Sequence, residues 1–294
     1  MPTFVNNSVK CYIWNKIATV MKKLIVICAA LVALTGCFSQ RKATEFPKMD
    51  NNGQVGIAAH RGYWKCEQAV NSQNSIASLT LAQDSGFWGS ECDIHLTADG
   101  EIIVNHDHDI EGLVIAEHSY AELSSHLLAN GEKRPTFDEY LTQAAKAPKT
   151  VLVVEFKAQG SDERDEALVR KAMKKIRQHG LWDPSRVAFI SFSYYSCKRV
   201  AELAPAFTNQ YLNGDIAPSE LAKAGINGID YKYKVLYEHP EWVQQAHDLG
   251  MSVNVWTVNK AKDMRNFIDM GVDVITTNEP LLLREILGEK EYKN

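Results

Sequence analysis

Between Ile57 and Leu287 the chain alternates short apolar runs with amphipathic stretches eight times, and few folds accept that rhythm. The runs begin near residues 57, 90, 151, 187, 208, 228, 252 and 273, each followed by a segment of helical periodicity. Val151 to Phe156 is almost continuously apolar, as expected of a parallel strand covered on both faces. Ser161 to His179 reads as an amphipathic helix closed by Gly180, and Lys260 to Met270 as one closed by Gly271. Pro240 opens another, where its missing N–H costs nothing. Eight strand–helix units in about 230 residues predict an α/β chain closed into a (β/α)8 TIM barrel over 55–294, with no internal boundary. The competing architecture is an open doubly wound sheet, but no glycine-rich dinucleotide fingerprint follows the first strand.

The first 54 residues have a different character. Met21-Lys22-Lys23 is a basic start, Leu24 to Leu34 an apolar run of 11, and Leu34-Thr35-Gly36-Cys37 a small-residue cleavage site ending in cysteine. The run falls well short of the roughly 20 residues that span a bilayer as a helix, which disfavours a transmembrane anchor. Residues 1–37 are therefore expected to be an N-terminal extension and signal peptide, with Met21 a candidate start, and the polar stretch 38–54 a flexible tether. With that segment set aside, the cysteines reduce to Cys66, Cys92 and Cys197, too few and too scattered for a disulfide framework or a thiolate metal site. A net charge of −4 offers no basic field, so no nucleic-acid partner is expected.

Ile57 to Asp109 carries the chemistry. IAAHRG reads as a strand ending in His60 and Arg61, NSIASLTLAQDSG as a helix, and SECDIHL as a strand. Alternation sends Glu91, Asp93 and His95 to one face of that strand, with Cys92 and Ile94 on the other. Asp99-Gly100 predicts a two-residue hairpin turn, and that register would set His106 directly opposite Asp93. The segment from Asp109 to Pro135 reads as irregular; the next helix opens at Thr136. Strand ends of a barrel make its active face, which would gather His60, Arg61, Glu91, Asp93, Glu155, Lys157 and Trp256 at one rim, with Tyr211 and Lys232 further candidates. Three converging carboxylates need a compensating cation, and all-oxygen ligands suit Mg²⁺ or Ca²⁺. A simple ion pair with Arg61 or Lys157 is the alternative for any one acid, less favoured than a metal ligand, and far less so for all three together. His95 and His108 are expected beside the site and not in it.

His60-Arg61-Gly62, Glu91-Cys92-Asp93, Asp99-Gly100 and His106-Asp107 occur in the order and at close to the spacing seen in the glycerophosphodiester phosphodiesterase family, which this chain resembles from about 57 to 280. The resemblance implies a barrel of the phospholipase C-like phosphodiesterase type with a β-hairpin arm after the second strand. It implies a metal site of Glu91, Asp93 and Glu155, catalytic His60 and His106, phosphate contacts from Arg61 and Lys157, and Trp256 beside the substrate's glycerol. The implied reaction converts a glycerophosphodiester to glycerol 3-phosphate and an alcohol, by water or by prior attack of the neighbouring glycerol hydroxyl. Which histidine is acid and which base stays open at this level. The N-terminal segment similarly resembles a bacterial lipoprotein signal, which implies lipidation of Cys37 and a membrane-tethered enzyme of the cell envelope. One departure stands out: where the family has Pro-Glu-Asn-Thr, this chain has Ser72-Gln73-Asn74-Ser75, replacing an acid beside the metal site with an amide. A phosphodiesterase acting on a phosphoinositide or sphingolipid headgroup, and a binding lipoprotein without turnover, are the alternatives that departure admits.

Overall fold

Eight parallel strands hydrogen-bond side by side until the last meets the first. The computed structural model describes residues 54–291. The expected signal peptide, Cys37 and the tether as far as residue 53 lie outside the described residues. The barrel strands are β1 (Gly56–Ala59), β2 (Gly89–Leu96), β6 (Val151–Phe156), β7 (Val187–Ser191), β8 (Thr208–Tyr211), β9 (Gly228–Lys232), β10 (Ser252–Trp256) and β11 (Val274–Thr277). They run in sequence order around the barrel, and the pairing of Ala58 with Gly89 and Ala59 with Ser90 closes it. The expected architecture is therefore the one observed.

Side-chain alternation divides the barrel into a lining and a shell. Leu152, Val154 and Phe156 point outward onto Leu168, Val169, Ala172 and Met173 of α4 (Asp162–Gln178). On the opposite side Val253 and Val255 meet Met264 and Phe267 of α9 (Ala261–Met270). Each such fully buried side chain contributes roughly 1.5–3 kcal/mol, so the shell holds the barrel closed. The lining is mixed: Val153, Ala188, Ile190 and Leu212 form an apolar plug, while Gln210, Asp230, Asn254 and Thr276 are buried polar groups. Gly228 is needed inside because a Cβ there would lie 2.5 Å from Ser252 Oγ and 2.6 Å from Gln210 Cγ, which meet across it. No helix among the described residues is long and apolar enough to cross a membrane.

β3 (Ile102–Val104) pairs antiparallel with β2, taking over the edge that β1 leaves after Ser90. The register differs by one from expectation: Ile94 opposes Val104, and the Asn105 N–H donates to Asp93 O at 3.0 Å. The cause is the turn, which has three residues, Ala98-Asp99-Gly100, closed by Thr97 N–H to Glu101 O at 2.9 Å, with Gly100 at φ +80°. Thr97 Oγ1 accepts the Glu101 N–H at 2.8 Å, and this clamp favours the longer loop over a two-residue turn. His106 thus lies beyond the ladder, in the loop past its last pair.

The stretch read as irregular is built from short elements. β4 (Asp109–Ile110) and β5 (Leu113–Val114) make a small ribbon, followed by a 3₁₀ turn at Ile115–Glu117 and α2 (Tyr120–Leu123). Ile103, Ile110, Ile115 and Leu123 pack together beneath them. The remaining helices are α1 (Ile76–Asp84), α3 (Phe137–Ala144, capped by Thr136), α5 (Tyr194–Leu203), α6 (Pro218–Lys223), α7 (Tyr233–Glu238), α8 (Glu241–Asp248) and α10 (Pro280–Glu291). Of these, α7 has no counterpart in the sequence reading: its six residues are too few to show a period.

Candidate active site

Beyond β1 the chain turns sharply through two left-handed residues, Arg61 at φ +58° and Gly62 at φ +79°. A Cβ on Gly62 would sit 2.4 Å from Ser78 Oγ, so α1 packs where only glycine leaves room. The kink aims the Arg61 N–H at Glu91 Oε2, 2.7 Å away. It also exposes the Arg61 carbonyl to the Asn74 N–H at 3.0 Å and Ser78 Oγ at 3.1 Å. Asn74, itself at φ +56°, donates from Nδ2 to Asp93 Oδ2 at 2.8 Å. The loop between β1 and α1 is thereby tied to two of the three acids.

Glu91, Asp93 and Glu155 bring one carboxylate oxygen each to within 4.8 Å of one another, and all three are buried. Two cations face them. Lys157 Nζ is 2.9 Å from Glu155 Oε1 and 3.4 Å from Asp93 Oδ1, and Arg61 Nε is 3.7 Å from Asp93 Oδ2. With all three ionised, one negative charge exceeds what these cations balance, and Glu91 Oε1 has no hydrogen-bond partner among the described residues. Burial first, then Asp93 and Glu155, pushes the Glu91 carboxyl well above its usual range. Burial and Asp93 push Glu155 up to about 8. Asp93 goes the other way: burial opposes its ionisation, but Lys157, His106, the Asn74 amide and Arg61 outweigh it. An orphaned buried carboxylate oxygen within an all-oxygen donor set fits a hard divalent cation, with Mg²⁺ and Ca²⁺ both compatible in chemistry.

The two histidines flank this cluster. His60 places Nδ1 2.8 Å from Asn278 Oδ1; because an amide oxygen only accepts, Nδ1 carries the proton and Nε2 a lone pair. Burial, then Arg61, lowers His60 to about 4. His106 Nδ1 lies 2.7 Å from Asp107 Oδ1. Burial lowers His106 as well, against the opposing pull of Asp93. His95 Nε2 meets the His106 carbonyl at 3.3 Å and its ring packs edge-on against His108, so it backs the loop that carries His106. Trp256 ends β10 with Nε1 donating to Asp230 O at 2.9 Å and its ring edge-to-face with Phe192. Lys232 Nζ lies 5.9 Å from the Trp256 ring centroid, at the same rim. Tyr211 does not line the site: Gln210 and Leu212 take the inward positions of that strand, and Tyr211 is buried in the shell between Tyr194 and Tyr231.

The glycerophosphoryl diester phosphodiesterase family model matches residues 60–282, from the first histidine to the start of the last helix. The chain belongs to this family. A crystal structure of a glycerophosphodiester phosphodiesterase from Parabacteroides distasonis is 43% identical, with a TM-score of 0.78 over 81% of this chain and 98% of that one. The glycerophosphodiester phosphodiesterase of Caldanaerobacter subterraneus is 25% identical over 240 residues, 76% of this chain and 94% of that protein. An Oleispira antarctica phosphodiesterase, solved with the product sn-glycerol-3-phosphate, shares the fold at 21% identity and a TM-score of 0.69, covering 81% of this chain and 98% of that one. Membership makes this chain an enzyme, a glycerophosphodiester-hydrolysing phosphodiesterase. Asn278 went unseen in the sequence reading; the signal was positional, since closure sets the end of the last strand beside that of the first.

Proposed function

We propose that this enzyme hydrolyses glycerophosphodiesters to glycerol 3-phosphate and an alcohol, using a divalent cation held by Glu91, Asp93 and Glu155. The observation that carries this reading is the buried trio of acids, in which Glu91 Oε1 has neither a hydrogen bond nor a cation beside it among the described residues. When bound, the ion supplies positive charge against the phosphate's non-bridging oxygens. Arg61 and Lys157 extend that charge on either side and orient the phosphate. His60 presents an unprotonated Nε2 and takes the proton of the attacking hydroxyl. His106, in the imidazolium form that Asp93 and Asp107 favour, keeps Nδ1–H on Asp107 and gives the proton on Nε2 to the departing alkoxide. A P–O bond to the attacking oxygen forms, the P–O bond to the alcohol breaks, and one water is consumed overall.

The test is turnover of glycerophosphocholine, glycerophosphoethanolamine and glycerophosphoinositol with and without chelator, with the phosphorylated product identified. Glycerol 3-phosphate formed only when Mg²⁺ or Ca²⁺ is restored is the expected result. Activity that survives chelation removes the metal from the reading, and a phosphorylated headgroup as product overturns the bond assigned. The lipobox-like Leu34–Cys37 supports placing the enzyme on a bacterial envelope membrane, and loss of membrane fractionation in Cys37→Ala tests that.

A further inference from the structure

Beside His106 opens a cavity of about 230 Å³. Its walls are the loop between β1 and α1, the loop after β3, and the segment before α3. It is smaller than the roughly 300–1,000 Å³ of sites for drug-sized ligands, a size that suits a headgroup. Its lining carries four side-chain amides, Asn71, Gln73, Asn74 and Asn105, with Arg134 and Asp107 as one cation and one anion and an apolar run at 127–129. No Phe, Tyr or Trp is among the described residues that line it.

Two of these amides are fully employed in the protein: Asn74 holds Asp93, and Asn105 joins the Asp107 carbonyl to Arg134 Nε. Asn71 has no hydrogen-bond partner among the described residues, and Gln73 uses only Oε1, which accepts from Arg61 Nη1. Asn71 stands at φ +55°, a left-handed conformation that asparagine tolerates. Asp107 is already held by His106 and is offset by Arg134, so the cavity carries little net charge.

We infer that this cavity receives the leaving alcohol, and that the alcohol is a neutral polyol such as glycerol or a cyclitol, not a quaternary ammonium headgroup. The inference rests on the function proposed above, because it is the nearness of His106 that makes this the leaving-group side. Each side-chain amide offers a donor and an acceptor together, matching vicinal hydroxyls, which do both. A trimethylammonium group needs aromatic faces, and the cavity has none.

The test compares kcat/KM for glycerophosphoinositol, glycerophosphoglycerol and glycerophosphocholine in the wild-type enzyme and in Asn71→Gly, a change the left-handed backbone accepts without strain. The polyol diesters are expected to lead the choline diester by tenfold or more, and Asn71→Gly to shrink that lead at least fivefold. A choline diester turned over as fast as the polyol diesters, or a lead unchanged by Asn71→Gly, overturns the inference and leaves the hydrolase reading intact. If no diester turns over, the hydrolase reading fails, and saturation-transfer NMR with free myo-inositol, glycerol and choline decides alone: polyol binding above choline sustains the cavity's assignment, and equal signals overturn it.

Discussion

The Arg61 main chain and the Glu91 side chain are joined by a 2.7 Å hydrogen bond that exists only because Gly62 turns the chain back under α1. Gly62→Ala breaks that arrangement twice, through a positive φ of +79° and a Cβ 2.7 Å from the Ser78 carbonyl carbon, a backbone atom that cannot swing aside. The expected loss is about 1–3 kcal/mol of stability in urea unfolding. Divalent-cation binding by calorimetry should weaken in the same variant, because Glu91 loses its donor.

Cation binding should depend on pH in a determined direction. Glu155 is raised from 4.5 to about 8 and Glu91 is also raised, so the cation-free fold holds extra protons relative to the unfolded chain. That contribution is complete below about 4.5 and is gone once pH has risen through about 8, so the cation-free protein weakens across that whole range. Cation replaces those protons. At about 100 times Kd it adds about 2.7 kcal/mol, a Tm gain of roughly 5–10 °C for a chain of this size. Scanning calorimetry with and without Mg²⁺ or Ca²⁺ should show the gain growing between pH 6.5 and 8.5; a gain that is flat or shrinks contradicts the assigned ligands.

Much of this site was legible because its acids and its first histidine obey strand arithmetic. Alternation sets Glu91 and Asp93 on one face of their strand and Glu155 and Lys157 on one face of theirs, and barrel closure turns those faces toward each other. His106 was placed for a reason that proved wrong in detail: the Thr97 hydroxyl favours a three-residue loop over the expected two-residue turn, shifting the register by one. His106 reaches the cluster from a loop, whose path no periodicity describes. Tyr211 was misread because a strand end shows that a residue is near the rim, while inward or outward depends on the parity set by Gln210. Asn278 was invisible for the opposite reason, since its role comes from a partner 218 positions away.

That asparagine sets the His60 tautomer, which gives it a measurable role as a positioning residue. Asn278→Asp puts an anion 2.8 Å from Nδ1 and favours the imidazolium, so the acid limb of the kcat/KM profile should move up from its position in the wild type. Asn278→Leu removes the acceptor and should lower kcat more than tenfold with little change in KM. Direct removal of either ring, His60→Ala or His106→Ala, should cost about 10²–10⁴ in kcat. An Asn278→Asp profile that overlays the wild type would show that His60 is not the group that titrates.

Gln73 replaces the acid that relatives of this chain are expected to carry, and its Oε1 accepts from Arg61 Nη1 at 2.5 Å. Gln73→Glu adds a negative charge next to the cluster while neutralising the Arg61 guanidinium, which the proposed function sets against the phosphate. Cation affinity should rise about three- to tenfold while KM for the diester rises, two readouts moving in opposite senses. Titration calorimetry for the cation and steady-state kinetics for the substrate separate them. A variant in which both constants stay put would mean that position 73 acts only through the backbone of its loop.

Far from the site, His247 Nε2 meets Asp273 Oδ2 at 3.1 Å, and the same oxygen accepts the Val253 N–H at 2.7 Å. The bond to Asp273 raises His247 above its ordinary 6.5, against the effect of partial burial. The folded state therefore binds this proton more tightly than the unfolded chain. Its contribution is fully present below about pH 6.5 and is lost as pH climbs through the raised value. Half-exposure screens the pair, which limits it to a few tenths up to about 1 kcal/mol. His247→Gln keeps a neutral donor and removes the charge, so it should be less stable than wild type at pH 5.5 and indistinguishable at pH 8.5. Urea unfolding at the two pH values checks this, and because the pair sits outside the catalytic pocket, kcat should not follow.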